Sequence, residues 1–277
     1  MTILSAAFLG FVQGVAEFLP ISSSGHLAVL QNVFHMQTAE NGHLFFDVLL
    51  HLGTVAAIVL AYWKDIRYII TDCVELVRNC RGNYPVGRKE YNGGRLLLML
   101  FFGSLPLFLV LPVHDALESL YYKTGYIGAA FLLTGAMLYV MEKMPVGKRT
   151  ERTMRIRDTL LIGLAQAVAT IPGISRSGAT IGAGLATGHS RSYSMKYSLL
   201  LSIPAVLGAN FLSLIKALKA GVDTALLPAY LVGMVVAFGV GYVTILLMRR
   251  IVKKGQFKGL AYYMIGVGLF ALIASLF

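Results

Sequence analysis

Charge is scarce in this chain. Asp, Glu, Lys and Arg make up 13% of its 277 residues, about half the share usual for a soluble domain. Cysteine is scarcer: Cys73 and Cys80, seven residues apart, form no CxxC and have no neighbouring metal ligands, which excludes a disulfide framework and makes redox or metal chemistry at them an unsupported reading. A basic leader is also missing. Met1 to Leu30 has no basic start and already holds Glu17 and His26, so no cleavable signal is expected. What fills the space is apolar: 57% of residues are hydrophobic and the mean hydropathy is +0.71. That balance leaves an all-α integral membrane protein as the class. The net charge of +11 is then read as basic cytoplasmic loops, and no nucleic-acid partner is expected.

Six apolar runs are long enough to cross a bilayer: 44–63, 95–112, 124–141, 197–218, 226–248 and 259–277. Two further stretches are apolar but broken. Gly10 to His26 reads G-F-V-Q-G-V-A-E-F-L-P-I-S-S-S-G-H, and Gly163 to Gly178 reads G-L-A-Q-A-V-A-T-I-P-G-I-S-R-S-G. Aligned over sixteen positions they share eight identities, where chance gives about one, so they are copies of one unit. Each is helix, Pro/Gly/Ser break, helix, with halves too short to span. The reading is two re-entrant helix–loop–helix hairpins, because irregular backbone at membrane depth survives only where protein or a cavity satisfies it.

The basic residues set the expected orientation. Twenty of the 24 Lys and Arg fall in 64–95, 143–157, 191–196 and 249–258, all on one side if the six spans alternate, and that side is cytoplasmic. Both termini then face outside. One hairpin plus three spans is an odd number of passes, so the copies 1–141 and 154–277 are expected to form one membrane domain as an inverted-topology repeat, with the two breaks meeting near the midplane. Lys64 to Arg81 is amphipathic and is expected on the cytoplasmic surface. Gly178, Gly182, Gly184 and Gly188 suit close helix packing and permit a homodimer. His35, His43 and His189 lie near predicted ends and are expected to be solvated.

The copies differ where chemistry is possible. Glu17 faces Thr170 in the alignment, and Ser23 faces Arg176. Ionisable groups at membrane depth are costly and therefore functional by default. Glu17, His26, Ser23 and Arg176 are the candidate catalytic residues, and Gln13, Ser22, Ser24, Ser175, Ser177 and Thr180 the candidate binding residues. Free N–H groups at two helix starts, with a forked guanidinium, suit an oxyanion. Ser23 and His26 are three apart and share a face if a helix begins at the serines, so His26 can take a proton from a serine or from water. Glu17 can orient His26 or hold a divalent cation, Mg2+ or Ca2+, bridging phosphate oxygens. The plain alternatives are a structural Glu17–Arg176 ion pair, a satisfied core histidine and serines that only cap helices.

At these residues the chain resembles the undecaprenyl-diphosphatase family, the bacitracin-resistance proteins of bacterial envelopes. Gln13-Gly-Val-Ala-Glu17 is similar to that family's (E/Q)xxxE motif, followed by Phe18 to His26. Pro172 to Thr180 is similar to its PGxSRSxxT motif, and Phe46 to Thr54 to the segment between. The resemblance covers essentially the full length. It implies a membrane phosphatase that removes one phosphate from a polyprenyl diphosphate, undecaprenyl diphosphate, to return the monophosphate carrier to wall-polymer synthesis. By the same resemblance the site of a plasma (inner) membrane enzyme opens to the outer face, and Glu17, His26, Arg176, Ser23, Ser175 and Thr180 fall on implicated positions. Gln13 stands where many members have Glu, which weakens a two-carboxylate metal site. A second lipid-phosphatase superfamily also carries S-G-H and S-R fragments, but needs a His and an Asp closely after its Arg. Here His189 is thirteen residues beyond Arg176, with no Asp near it. The other class in play is a polyprenyl-phosphate transporter or flippase, since inverted repeats with broken helices are transporter architecture.

Overall fold

The structure, a computed structural model, describes residues 1–33, 42–78 and 93–276. Twelve α-helices are present among them: α1 (Ile3–Phe18), α2 (Ser23–Val33), α3 (Gly42–Ala61), α4 (Trp63–Arg78), α5 (Gly93–Ser104), α6 (His114–Ser119), α7 (Thr124–Lys143), α8 (Ile156–Val168), α9 (Arg176–Ala186), α10 (Arg191–Ala220), α11 (Leu227–Lys254) and α12 (Lys258–Ala274). The described residues form no β-strand beyond one isolated bridge, Arg149 to His189. Five helical segments are long and apolar enough to cross a membrane: Leu44–Ala61, Gly93–Val113, Thr124–Lys143, Arg191–Lys219 and Thr224–Lys254. The protein is an all-α, multi-pass membrane protein. The sixth expected span is α12, which has 17 residues. It lies antiparallel along α7, with Gly128 against Gly268 and Gly135 against Ala261, and so shares the depth of a spanning helix.

Local chemistry explains the element ends. Thr2 and Ser5 form a reciprocal cap at the start of α1. Asp158 accepts the Arg155 N–H at 2.8 Å to start α8, and Ser175 accepts Gly178 N–H at 3.1 Å to start α9. The span begun by α5 finishes as a 3₁₀ segment, Leu105–Val113, with Pro112 inside it, where a proline supplies no N–H for an α-helical ladder. α10 starts at Arg191, six residues earlier than the apolar run. Ser190 caps it, and Lys196 in its second turn is neutralised by Asp65 at 2.5 Å and Glu151 at 3.2 Å.

Glycines set helix contacts and directions. A Cβ on Gly10 would sit 2.3 Å from the Gly233 carbonyl oxygen, and one on Gly14 2.9 Å from the Ala237 oxygen, so α1 runs parallel to α11 at backbone contact. A Cβ on Gly163 would sit 2.3 Å from the Gly103 oxygen, and Thr159 donates to Met99 O at 2.7 Å, so α8 runs parallel to α5. Gly53 meets Met234 and Gly241 meets Ala57, so α3 also runs with α11. α10 runs against α3: Asn210 meets Val48 inside α3, while Lys196 meets Asp65 in the first turn of α4, just past the end of α3. It runs with α5, the Tyr197 hydroxyl donating to Met99 O at 2.7 Å and Leu201 lying beside Gly103. By this chain of contacts α1 and α8 point in opposite directions, and each packs on a span from the other half of the sequence.

Two expectations need correction. His189 is buried, at 1% exposure. The preceding loop folds under Arg149, whose N–H reaches Gly188 O at 3.1 Å and whose Nη1 reaches Thr187 O at 2.8 Å, and His189 Nδ1 meets Thr187 Oγ1 at 2.9 Å. Of the four glycines expected at helix contacts, Gly188 instead sits in the turn with φ +80°, while Gly178 and Gly182 meet Met137 and Met141 of α7 and Gly184 meets Ser194 of α10. Cys73 is partly buried on α4. Cys80 and His35 lie outside the described residues, as does the side chain of His43.

Candidate active site

The hairpins meet at their breaks. Gly25 approaches Gly173, and Gly178 approaches Pro20, pairs that the sequence alignment makes equivalent. Ser177 Oγ donates to Leu19 O across the junction at 3.3 Å. Thr134 of α7 fastens the second break, donating to Gly173 O at 2.9 Å and accepting from Ser175 N–H at 3.2 Å.

Four candidate residues form one hydrogen-bonded cluster at this junction. Glu17, 7% exposed, lies in the last turn of α1. Its Oε2 accepts from Ser23 Oγ at 2.6 Å and from Gln13 Nε2 at 3.1 Å, and its Oε1 pairs with Arg176 Nη2. Residues 159 apart in sequence thus share one carboxylate. Such a pair is costly to break, about 3–5 kcal/mol for removal of one partner. The satisfaction is incomplete: Arg176 Nη1 and Gln13 Oε1 are buried without a partner among the described residues. A guanidinium N–H left over beside a carboxylate is an open donor for an anion.

The remaining serines do other work. Ser22 is the one non-glycine described residue with positive φ, +67°, and its Oγ lies 3.4 Å from Gly25 N and 3.5 Å from Ser24 Oγ. Ser24 lies beside the Tyr121 phenol. Ser175 caps α9 and lies 3.2 Å from Ser177 Oγ. Thr180 donates back to Arg176 O at 2.8 Å and meets Ser198 Oγ at 2.5 Å. Ser175, Ser177 and Thr180 therefore hold the second break in shape rather than joining the cluster.

His26 is turned elsewhere. Its Nδ1 meets Ser22 O at 2.8 Å and its Nε2 meets the Tyr263 hydroxyl of α12 at 2.9 Å. The shared helix face with Ser23 holds only along the backbone: Ser23 is engaged by Glu17, not by the imidazole. His26 and Tyr263 are the polar side chains lining an apolar groove of about 380 Å³ between α1, α2 and α12, whose walls include Phe8, Phe11, Val15, Leu30, Val267 and Phe270.

Comparison with known proteins fits this arrangement. The model of the family described as bacitracin resistance protein BacA matches residues 6–270. The chain belongs to this bacitracin resistance family. Relatives named undecaprenyl-diphosphatase include one from Desulforapulum autotrophicum, 38% identical with 99% of each chain covered. Another from Alkaliphilus metalliredigens is 34% identical with 100% of each chain covered. A third, from Korarchaeum cryptofilum, is 35% identical over 97% of this chain and 98% of its own.

In this member of the bacitracin resistance family two ionisable groups join from α3. His51 lies within electrostatic range of Glu17, and Asp47 within range of His51 and Tyr121, with His51 Nδ1 at 2.8 Å from Asp47 O. Their signal was available: an acid and an imidazole one turn apart inside an apolar span. Tyr263 had none, being one of two adjacent tyrosines in an apolar helix. Both Glu17 oxygens are engaged by Arg176, Ser23 and Gln13, and the described residues contain no group of three His, Cys, Asp or Glu placed to hold a metal.

Proposed function

We propose that the protein is a membrane phosphatase that hydrolyses undecaprenyl diphosphate to undecaprenyl phosphate and inorganic phosphate, recycling the lipid carrier for wall-polymer synthesis. The observation that carries the reading is the Glu17–Arg176 pair with its open Nη1, set at the hairpin junction close to an apolar groove. The family and the full-length relatives named undecaprenyl-diphosphatase support it. The groove takes the isoprene units next to the head group, while the rest of the polyprenyl chain stays in lipid. The site faces the outer side of the bacterial plasma (inner) membrane, in an inverted repeat of 1–141 and 154–277.

Substrate binding redistributes the guanidinium. The terminal phosphate takes Nη1 and then competes for Nη2, because a doubly charged phosphate outbids one carboxylate for a forked donor. Glu17 is thereby released as a base toward the Ser23 hydroxyl, 2.6 Å away. Ser23 Oγ bonds to the terminal phosphorus as the bridging P–O bond breaks, the Ser23 proton passes to Glu17, and the lipid phosphate leaves. Water then attacks phosphoserine. One water proton goes to Glu17 while the acid proton already there returns to Ser23 Oγ as the P–Oγ bond breaks, and the departing inorganic phosphate carries the remaining Glu17 proton away. Arg176 stabilises charge on the equatorial oxygens throughout. His26, on the wall of the groove, stands beside the leaving lipid phosphate.

Purified protein in detergent is expected to release phosphate from polyprenyl diphosphate. Glu17→Gln and His26→Ala are each expected to lower kcat by at least about a hundredfold. Lipid movement between leaflets without phosphate release would replace the enzyme with a carrier.

A further inference from the structure

The tautomer of His26 follows from its neighbours. Ser22 C=O can only accept, so Nδ1 carries the hydrogen at the 2.8 Å contact. Nε2 is then a bare acceptor, and the group 2.9 Å from it, the Tyr263 hydroxyl, must donate. The chain of bonds runs from Tyr263 O–H through the imidazole to the Ser22 carbonyl. Each end is built for it. The carbonyl is aimed by the positive φ of Ser22, +67°, a conformation a side-chain-bearing residue holds only when its surroundings enforce it. The phenol is aimed by ring stacking on His26, with centroids 5.7 Å apart and planes within 5°. Phe131 closes the imidazole from another side at 4.9 Å.

Tyr263 is 45% exposed and its neighbour Tyr262 61%, but on a helix at membrane depth that surface meets lipid, where a hydroxyl without a partner is costly. The hydroxyl finds its partner in a histidine lone pair on the wall of the groove. A lone pair facing an apolar groove is costly when unpaired, and the hydroxyl satisfies it while the groove is empty.

We propose that Tyr263 is the positioning residue for His26: its hydroxyl fills the place at Nε2 that the substrate's phosphate takes, and until then holds the imidazole in one tautomer and one plane. The proposal rests on the lipid-phosphatase reading of the same site. The exchange keeps the plane of the ring but reverses the bond: a phosphate oxygen accepts, so Nε2 takes up a proton as the head group arrives and donates from the imidazolium. Without the phenol the ring is fixed only at Nδ1 and turns about its Cβ–Cγ bond.

The test uses full-length protein labelled with ¹⁵N-histidine in detergent micelles, with the His26 signals assigned by their loss in His26→Ala. Substrate-free wild type is expected to show the neutral Nδ1–H form with a hydrogen-bonded Nε2, and Tyr263→Phe is expected to move the Nε2 signal. Phenylalanine keeps the ring stack and lacks only the hydroxyl. The same variant is expected to lose about tenfold in kcat with KM changed less than about threefold, as befits an organiser rather than a substrate contact. An unmoved Nε2 signal, an unchanged kcat, or a KM rise at constant kcat would each overturn the proposal. If Tyr263→Phe fails to fold, titration of wild type with a short, non-hydrolysable polyprenyl methylenediphosphonate decides: the Nε2 signal shifts on binding, or the exchange does not occur. Wild type that releases no phosphate refutes the phosphatase reading, while the substrate-free spectrum still reports the bond.

Discussion

Arg176 divides one guanidinium between a carboxylate it already holds and an anion it has yet to meet. Lysine keeps the charge but has no second N–H in a fixed plane. Arg176→Lys is therefore expected to fold and to lose a hundredfold or more in kcat, roughly the 3–4 kcal/mol of a lost transition-state clamp. Were the pair only structural, Lys would serve, and Glu17→Gln with Arg176→Ala would be active and milder than Arg176→Ala alone. Measured kcat and Tm for the three variants separate the two. Ser23→Ala is expected to abolish a trapped phosphoserine and most of the turnover; full activity would make water the nucleophile. Glu17, Ser23 and Arg176 were legible in the sequence because charged and hydroxyl side chains are expensive at membrane depth. The bond between His26 and Tyr263 was not, since spacing along a helix says where a side chain starts but not which partner from a helix more than 230 residues away it meets.

Helices here approach as closely as their glycines allow. Gly163→Leu places carbon where the Gly103 carbonyl oxygen lies, at 2.3 Å for the Cβ alone. Overpacking of this kind costs about 1–3 kcal/mol or more, and a lower Tm with loss of activity is expected, while Gly259→Leu, with nothing near its Cβ, is expected to be neutral. His189 offers a pH test. Burial and the nearby Arg149 hold its pKa below the ordinary 6.5, so the unfolded chain binds the proton more readily. The stability contributed by neutral His189 is present above about pH 6.5 and is lost as pH falls through the depressed folded value. The fall in Tm on acidification is expected to flatten in His189→Asn. The hairpins were legible from their Pro, Gly and Ser breaks. The true start of α10 was not, because Lys196 inside the helix is balanced by Asp65 and Glu151, acids contributed by distant segments.

For the whole molecule, the expected orientation is open to direct measurement. With both native cysteines replaced, Lys148→Cys is expected to label only from the cytoplasm and Asp223→Cys only from outside; labelling of both from one side would refute the inverted arrangement. The repeat was legible because its copies kept eight of sixteen residues, but the exchange of supports was not, because no spacing reveals that α1 rests on α11 and α8 on α5. That exchange bears on how the chain is made. When Glu17 leaves the ribosome, its cationic partner is 159 residues away, and the helix that receives Gly10 lies further still. The first hairpin meets α3 and α7 of its own half early, but α1 lacks its main support, α11, until the second half is made. The active centre is the last part of the protein to exist, and a chain interrupted before α11 has every outward sign of a membrane protein with no reaction to perform.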